Sequence, residues 1–253
     1  MRILLCNDDG IDAAGIRALL AALAPHHTVA VCAPERQQSA VSKALTLYTP
    51  LRAERRVLSG YPDVPAYAIS GTPVDCVRLG LGNFLDARPD LCISGINLGP
   101  NLGTDTLYSG TCAAAGEAAV RGIPAIAVSS ISFAPKHLDA AAQVALQMVD
   151  FVSRHPLPMG VYYNVNVPDA PFAALRGLRK TGLGVIAYRE RYEERIDTIA
   201  HPYFWAPREK LLPTTERDTD ERWTAEGWVT VTPLTYDNAC MDVLCNMTET
   251  EQL

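Results

Sequence analysis

Met1-Arg2-Ile3-Leu4-Leu5-Cys6-Asn7-Asp8-Asp9-Gly10 is the stretch that decides the fold. Ile3 to Cys6 is an apolar run of strand length, Asn7 to Gly10 is a polar turn, and Ala14 to Leu23 carries apolar residues at helical spacing. Thr28 to Ala33 is a second short apolar run, so the chain opens with a βαβ unit, which implies a parallel sheet and a right-handed crossover. Ligands of open α/β sheets bind beyond the carboxyl ends of the strands. Asp8 and Asp9 therefore stand at the functional edge, and adjacent carboxylates repel unless a cation lies between them or one is protonated. One hard divalent metal ion is the expected occupant, with capping of the following helix as the competing role for these acids.

The alternation continues. Strands are expected at Ala66 to Ser70, Leu91 to Ser94, Ala125 to Ser129 and Tyr162 to Val167, and helices at Pro73 to Leu81, Thr111 to Arg121 and Leu138 to Val152. After Pro168 the texture changes. Gly177 to Gly184 reads as a basic loop, Val185 to Trp205 as an extended hairpin whose aromatic side needs a partner, Trp228 to Pro233 as a strand, and Thr248 to Leu253 as a frayed end.

With 253 residues, 48% of them hydrophobic, the chain is long enough for one large α/β domain or a core domain with an appendage. A net charge of −6 argues against a surface that grips a nucleic-acid polymer, although a mononucleotide needs only a local site. The amino terminus lacks the pattern of a secretory signal and no apolar run has the length of a membrane helix, so the expected location is the cytoplasm, with no membrane partner. The 7 cysteines are scattered without a Cys-x-x-Cys pair and read as buried reduced thiols.

Four loops are expected together at the carboxyl edge: Asn7 to Gly10, Pro34 to Ser42, Ser94 to Gly110 and Ser129 to Ser132. The second offers hydroxyls at Ser39 and Ser42, residues that ordinary turn chemistry also explains. The third, from Ser94 to Thr111, holds four glycines and two asparagines, which have no role in a core. Ser109, Gly110 and Thr111 at the start of the next helix would turn backbone N–H groups and hydroxyls toward an anion, unless Ser109 or Thr111 is only an N-cap. Asn97 offers a neutral carbonyl ligand or an amide donor. A dicarboxylate for a cation beside a helix N-terminus for a phosphate suits phosphate-ester hydrolysis. No Gly-x-Gly-x-x-Gly, Gly-x-Ser-x-Gly or Walker lysine occurs, and the acids are adjacent rather than spaced Asp-x-Asp as in haloacid-dehalogenase phosphatases. His26, His27, His137, His155 and His201 read as surface residues rather than ligands.

Taken in order, Asn7-Asp8-Asp9-Gly10-Ile11, Ser39-Ala40-Val41-Ser42, Ser70-Gly71-Thr72-Pro73, Ser94-Gly95-Ile96-Asn97, Tyr108-Ser109-Gly110-Thr111 and Asn164-Val165-Asn166-Val167-Pro168 closely resemble the SurE survival-protein family over nearly the whole chain. The resemblance implies a metal-dependent nucleotidase acting on nucleoside 5′-monophosphates, with 3′-monophosphates and short polyphosphate as further substrates. It implies one Mg²⁺ or Mn²⁺ held by Asp8, Asp9, Ser39 and Asn97, with Asp8 or Asp9 as base, and phosphate binding by Asn97, Ser109, Gly110 and Thr111. A nucleotide-sensing module without turnover and a broad-specificity acid phosphatase are the alternatives. The fold it implies is a Rossmann-like, three-layer parallel sheet over residues 1–168, with a carboxyl-terminal region, 169–253, whose hairpin joins copies into a homodimer or homotetramer. Three departures stand out: Ala14 for a proline, Cys112 for a valine, and Asp197-Thr198-Ile199-Ala200-His201 for the usual hairpin tip. The last bears on assembly and on any substrate contact the hairpin makes.

Overall fold

A computed structural model describes residues 1–188, 191–206 and 218–237. The strands are β1 (Arg2–Cys6), β2 (Thr28–Pro34), β3 (Ala53–Arg55), β4 (Ala66–Ile69), β5 (Leu91–Leu98), β6 (Ala125–Ser130), β7 (Val161–Val167), β8 (Leu178–Lys180), β9 (Glu193–Ile196), β10 (Pro202–Trp205) and β11 (Val229–Thr235). Nine of them form one sheet in the order β3-β4-β2-β1-β5-β6-β7-β11-β8, and β9 and β10 pair separately. From β4 to β7 every neighbour is parallel, while β3 and β11 run antiparallel to β4 and β7.

The three layers follow from the period of two in the strands. In β1, Ile3 and Leu5 enter one core while Leu4 and Cys6 enter the other. The first core is closed by α1 (Ala14–Leu23) and, across the same face, by the long amphipathic helix Leu138–Arg154, through Leu19, Leu20, Val144 and Met148. The second core is closed by α2 (Pro73–Leu79) and α3 (Gly110–Val120), where Ala114, Ala115 and Ala118 meet small strand residues such as Cys92, Ala125 and Ala127. Each fully buried Leu or Ile contributes about 1.5–3 kcal/mol, so these two faces carry the burial that holds the layers together. Numbered in order, the long helix is α4, and α5 (Asp220–Ala225) precedes β11.

Several elements differ from the expectation. β5 runs on past Ser94 to Leu98, because pairing with β6 resumes after a register shift, with Asn97 opposite Ser129 and Leu98 opposite Ser130. α2 ends at Leu79 and passes into a π-turn, Gly80–Phe84, instead of continuing to Leu81. The basic segment after Gly177 contains β8, which pairs with β11. Neither β3, three exposed residues, nor α5, six residues long, was expected. Cys6, Cys32, Cys76, Cys92 and Cys112 are free and buried, and burial raises all five thiols, so they behave as small apolar side chains. Cys240, Cys245, Arg189, Glu190 and Thr248 to Leu253 lie outside the described residues. Among those described, no helix is long and apolar enough to cross a membrane.

Candidate active site

β1 delivers its last apolar residue, Cys6, to the core and then turns. The turn is closed by the Asn7 side chain, whose amide donates to the Gly10 carbonyl (2.9 Å) while its oxygen accepts from the Gly10 N–H (3.1 Å). That closure turns Asp8 inward, to 4% exposure, and leaves Asp9 half-buried. Thr111, in the first turn of α3, donates its hydroxyl to Asp8 Oδ1 at 2.6 Å. Gly110 permits this approach: a Cβ there would sit 2.8 Å from the Asp8 Cβ and 2.9 Å from its Oδ2. Asp9 accepts from the Leu98 N–H (3.2 Å) and the Gln37 side chain (3.3 Å), which ties it to β5 and to the loop after β2.

Burial pushes the Asp8 carboxyl up to about 6; the Thr111 hydroxyl pulls it back, and the neighbouring Asp9 charge pushes it further up. Asp9 is also raised by burial, against the Leu98 N–H and Gln37. Two acids are thus held where negative charge is costly, at the end of a helix whose dipole favours it.

Asn97 donates its amide to the Gly99 carbonyl (2.8 Å), which uses the nitrogen and leaves the side-chain oxygen available as an acceptor. Ser109 is the N-cap of α3, accepting from the Cys112 N–H at 3.0 Å, the competing role foreseen for it. Ser39 is exposed and follows Gln38, whose N–H donates to the Asp8 carbonyl (2.7 Å). No hydrogen bond joins Ser39 to either acid. Ser42 fastens the same loop to the segment before Ser109, donating its N–H to the Tyr108 carbonyl (3.0 Å) and its hydroxyl to that of Leu107 (2.7 Å). The structure brings Asp8, Asp9, Gly110 and Thr111 into direct contact or near it, with Asn97 one residue from the Leu98 N–H on Asp9.

These donors are hard oxygens, and they suit a cation of the Mg²⁺ or Mn²⁺ type better than a soft one. A buried carboxylate beside a second carboxylate, with the Asn97 amide close in sequence to the Leu98 N–H on Asp9, is a donor set whose charge a divalent cation would neutralise. Among the described residues no three His, Cys, Asp or Glu side chains converge on a metal position, so neutral oxygens would complete the set.

Sequence reading overlooked a buried polar clamp behind the site. Asn101 donates its side chain to the Ser129 hydroxyl (2.7 Å) and its N–H to Asn166 Oδ1 (2.9 Å), and its carbonyl accepts from the side chains of Asn164 (2.8 Å) and Asn166 (2.9 Å). Asp220, fully buried, accepts from the N–H groups of Gly103 (2.8 Å) and Gly184 (2.9 Å). The available signal was the pair of asparagines at alternate positions of an apolar strand, both facing α3.

A mostly parallel, three-layer α/β sheet of Rossmann-like type, with paired acids and a helix N-terminus at its carboxyl edge, defines the class of protein. The particular family follows from comparison: the profile described as survival protein SurE matches residues 3–190, and the chain belongs to the SurE family. It is 46% identical over 240 residues to a 5′-nucleotidase SurE of Synechococcus sp. (strain JA-3-3Ab), covering 94% of this chain and 92% of that one. A 5′-nucleotidase SurE of Syntrophobacter fumaroxidans is 42% identical over 237 residues, with 94% of each chain covered. The crystal structure of the SurE protein from Aquifex aeolicus superposes with a TM-score of 0.83 at 36% identity, over 98% of each chain.

Proposed function

We propose that this protein is a metal-dependent nucleotidase that hydrolyses nucleoside 5′-monophosphates to nucleoside and phosphate, with 3′-monophosphates and short polyphosphate as further substrates. Its curated relatives are named 5′-nucleotidase SurE, which supports the enzyme class. Within the molecule, the observation that carries the reading is the bond from Thr111 to Asp8, because it fastens an anion-attracting helix end to a dicarboxylate.

Asp8, Asp9, Ser39 and Asn97 would hold one Mg²⁺ or Mn²⁺. When bound, the cation supplies positive charge against the phosphoryl oxygens and acidifies water in its shell. Asp9, the more open acid and raised by burial, takes the proton from the attacking water. Gly110 and Thr111, with Ser109 capping their helix, present backbone N–H groups to the phosphoryl oxygens, and Asn97 adds a polar side chain. Asp8 keeps its orientation through Thr111. Residues 1–168 form the catalytic unit in this proposal, and 169–253 assemble homodimers or homotetramers through the β9–β10 hairpin. The free buried thiols suit a reducing compartment, and the cytoplasm is the proposed location.

Phosphate release from 5′- and 3′-mononucleotides and an aryl phosphate, in EDTA and then with Mg²⁺ or Mn²⁺, tests this reading. Release restored by metal and absent in Asp9→Asn is expected. Saturable nucleotide binding without release under any divalent metal would make the protein a sensor instead, and equal use of the aryl phosphate would make it a general phosphatase.

A further inference from the structure

Phe133 is 80% exposed, three residues beyond the carboxyl end of β6, and so stands on the same edge of the sheet as Asp8 and Asp9. Its ring lies on Gly99. A Cβ at Gly99 would run into the ring, with Cδ1 2.7 Å and Cζ 3.1 Å away, so the absence of a side chain there makes the seat. Gly99 is already part of the site: its carbonyl holds the Asn97 amide (2.8 Å), and the preceding N–H, from Leu98, binds Asp9 (3.2 Å). Asp9 touches the Leu98 N–H, the next Cα is about 3.8 Å further on, and the ring rests on Gly99, so ring and Asp9 are separated by at most about 10 Å, within the reach of one nucleoside monophosphate.

The ring is also pre-positioned. Its loop begins with the Ile131 N–H on the Val167 carbonyl (3.0 Å) and continues through the Ala134 N–H on Ser132 Oγ (3.2 Å). It ends with the Lys136 and His137 N–H groups on Asp169 Oδ1, each at 2.9 Å. Bonds on both flanks reduce the entropy lost when a ligand stacks on the ring.

We infer that Phe133, seated on Gly99, is the stacking platform for the nucleobase of the substrate, with the phosphate toward Asp8 and Thr111. The inference rests on the nucleotidase reading above and adds a specificity residue to it. A flat exposed aromatic face accepts any base, since every base presents a π-face, so the platform distinguishes nucleotides from plain sugar phosphates rather than one base from another.

The test compares adenosine 5′-monophosphate with ribose 5-phosphate, which shares the phosphate and sugar and lacks the base. Phe133→Ala should raise KM for the nucleotide about tenfold more than for ribose 5-phosphate, with kcat changed little, and Phe133→Trp should restore the preference. An equal change for both substrates, or a preference altered less than twofold, would overturn the platform, and a thermal melt of each variant separates misfolding from lost stacking. If the wild type releases phosphate from neither compound, the nucleotidase reading fails. Equilibrium binding of the same two compounds to wild type and Phe133→Ala then decides the platform by the same tenfold criterion.

Discussion

Two regions invert the usual distribution of polarity, in opposite directions. At the carboxyl edge a carboxylate, Asp8, is 4% exposed, whereas in the β9–β10 hairpin Phe204 and Trp205 are 58% and 53% exposed. Either inversion alone is unfavourable, since buried charge loses hydration and exposed rings keep theirs. The edge offsets its cost internally, through Thr111, Leu98, Gln37 and the N-terminus of α3. Among the described residues the hairpin is held by its own ladder, Pro202 opposite Ile196 through Trp205 opposite Glu193, and by the Asp197 turn, and an isolated two-stranded hairpin is marginal in water. The edge thus meets its inverted polarity with hydrogen bonds from within the chain, while the hairpin leaves its rings open.

The strongest way to break this contrast is to remove the buried charge. Asp8→Asn keeps an oxygen for the Thr111 hydroxyl but halves the dicarboxylate, so metal-dependent phosphate release should fall by at least about a thousandfold. The same substitution should raise the melting temperature of the protein in EDTA, because a desolvated carboxylate has been neutralised. Loss of activity with loss of stability would mean that Asp8 is a structural residue, and retained activity would remove it from the site.

The acidity of Asp8 sharpens the point. Its carboxyl stands at about 6, against 3.8 when unfolded. Below the unfolded value both states are protonated and nothing is lost. As pH rises from about 4 to 6 the unfolded chain releases this proton while the folded state still holds it, so the metal-free protein loses up to about 3 kcal/mol from this residue, a loss that levels off above pH 6 and persists at pH 7. Melting curves at pH 5 and 7 in EDTA should therefore separate wild type from Asp8→Asn, with wild type losing more on going to pH 7. Saturating Mg²⁺ should shrink that difference, and parallel profiles would contradict the assignment of the shift to Asp8.

Next in size is the clamp behind the edge. Asn166→Ala leaves the Asn101 N–H without its acceptor and removes one of two donors from the Asn101 carbonyl, at an expected cost of about 2–3 kcal/mol. Chemical denaturation measures that cost. Because Asn101 anchors the glycine-rich segment that leads to Ser109, activity should fall further than the loss of folded protein explains.

What was legible in the sequence divides along the same line. The βαβ opening and the long helix α4 were legible because periodicity is local, and Asp8 with Asp9 stood out as charge directly after an apolar strand. The bond between Asp8 and Thr111 joins residues 103 apart, and nothing in either segment announces the partner. The end of β5 was hidden because Gly95 and Asn97 are loop residues by propensity, and the strand continues only because Asn97 and Leu98 pair with β6 again beyond the irregularity that holds Gly95. β3 was hidden because three exposed residues carry no pattern and β4 alone holds them in place. Asn164 and Asn166 were visible as a motif, yet their inward direction depends on which strand face α3 covers.

The hairpin offers the smallest effect on the chain's own stability and the clearest effect on its mass. Ile196, Phe204 and Trp205 are all exposed, so their replacement removes little internal contact: Phe204→Ser with Trp205→Ser should change the unfolding free energy by less than about 1 kcal/mol if the denatured species is a monomer. If the rings are covered by another copy, the double variant should instead shift the assembly toward lower mass, measured by sedimentation at several concentrations. The tip tests whether that assembly depends on backbone shape: Asp197 holds it by accepting from the N–H groups of Ile199 (2.9 Å) and His201 (2.8 Å), with Ala200 at φ 64. Asp197→Ala should loosen the turn without touching an aromatic ring. Reduced mass in the aromatic variant but not in Asp197→Ala would assign assembly to the exposed rings. Reduced mass in both would show that the turn's geometry positions them, and unchanged mass in both would leave the hairpin's inversion without an assembly role.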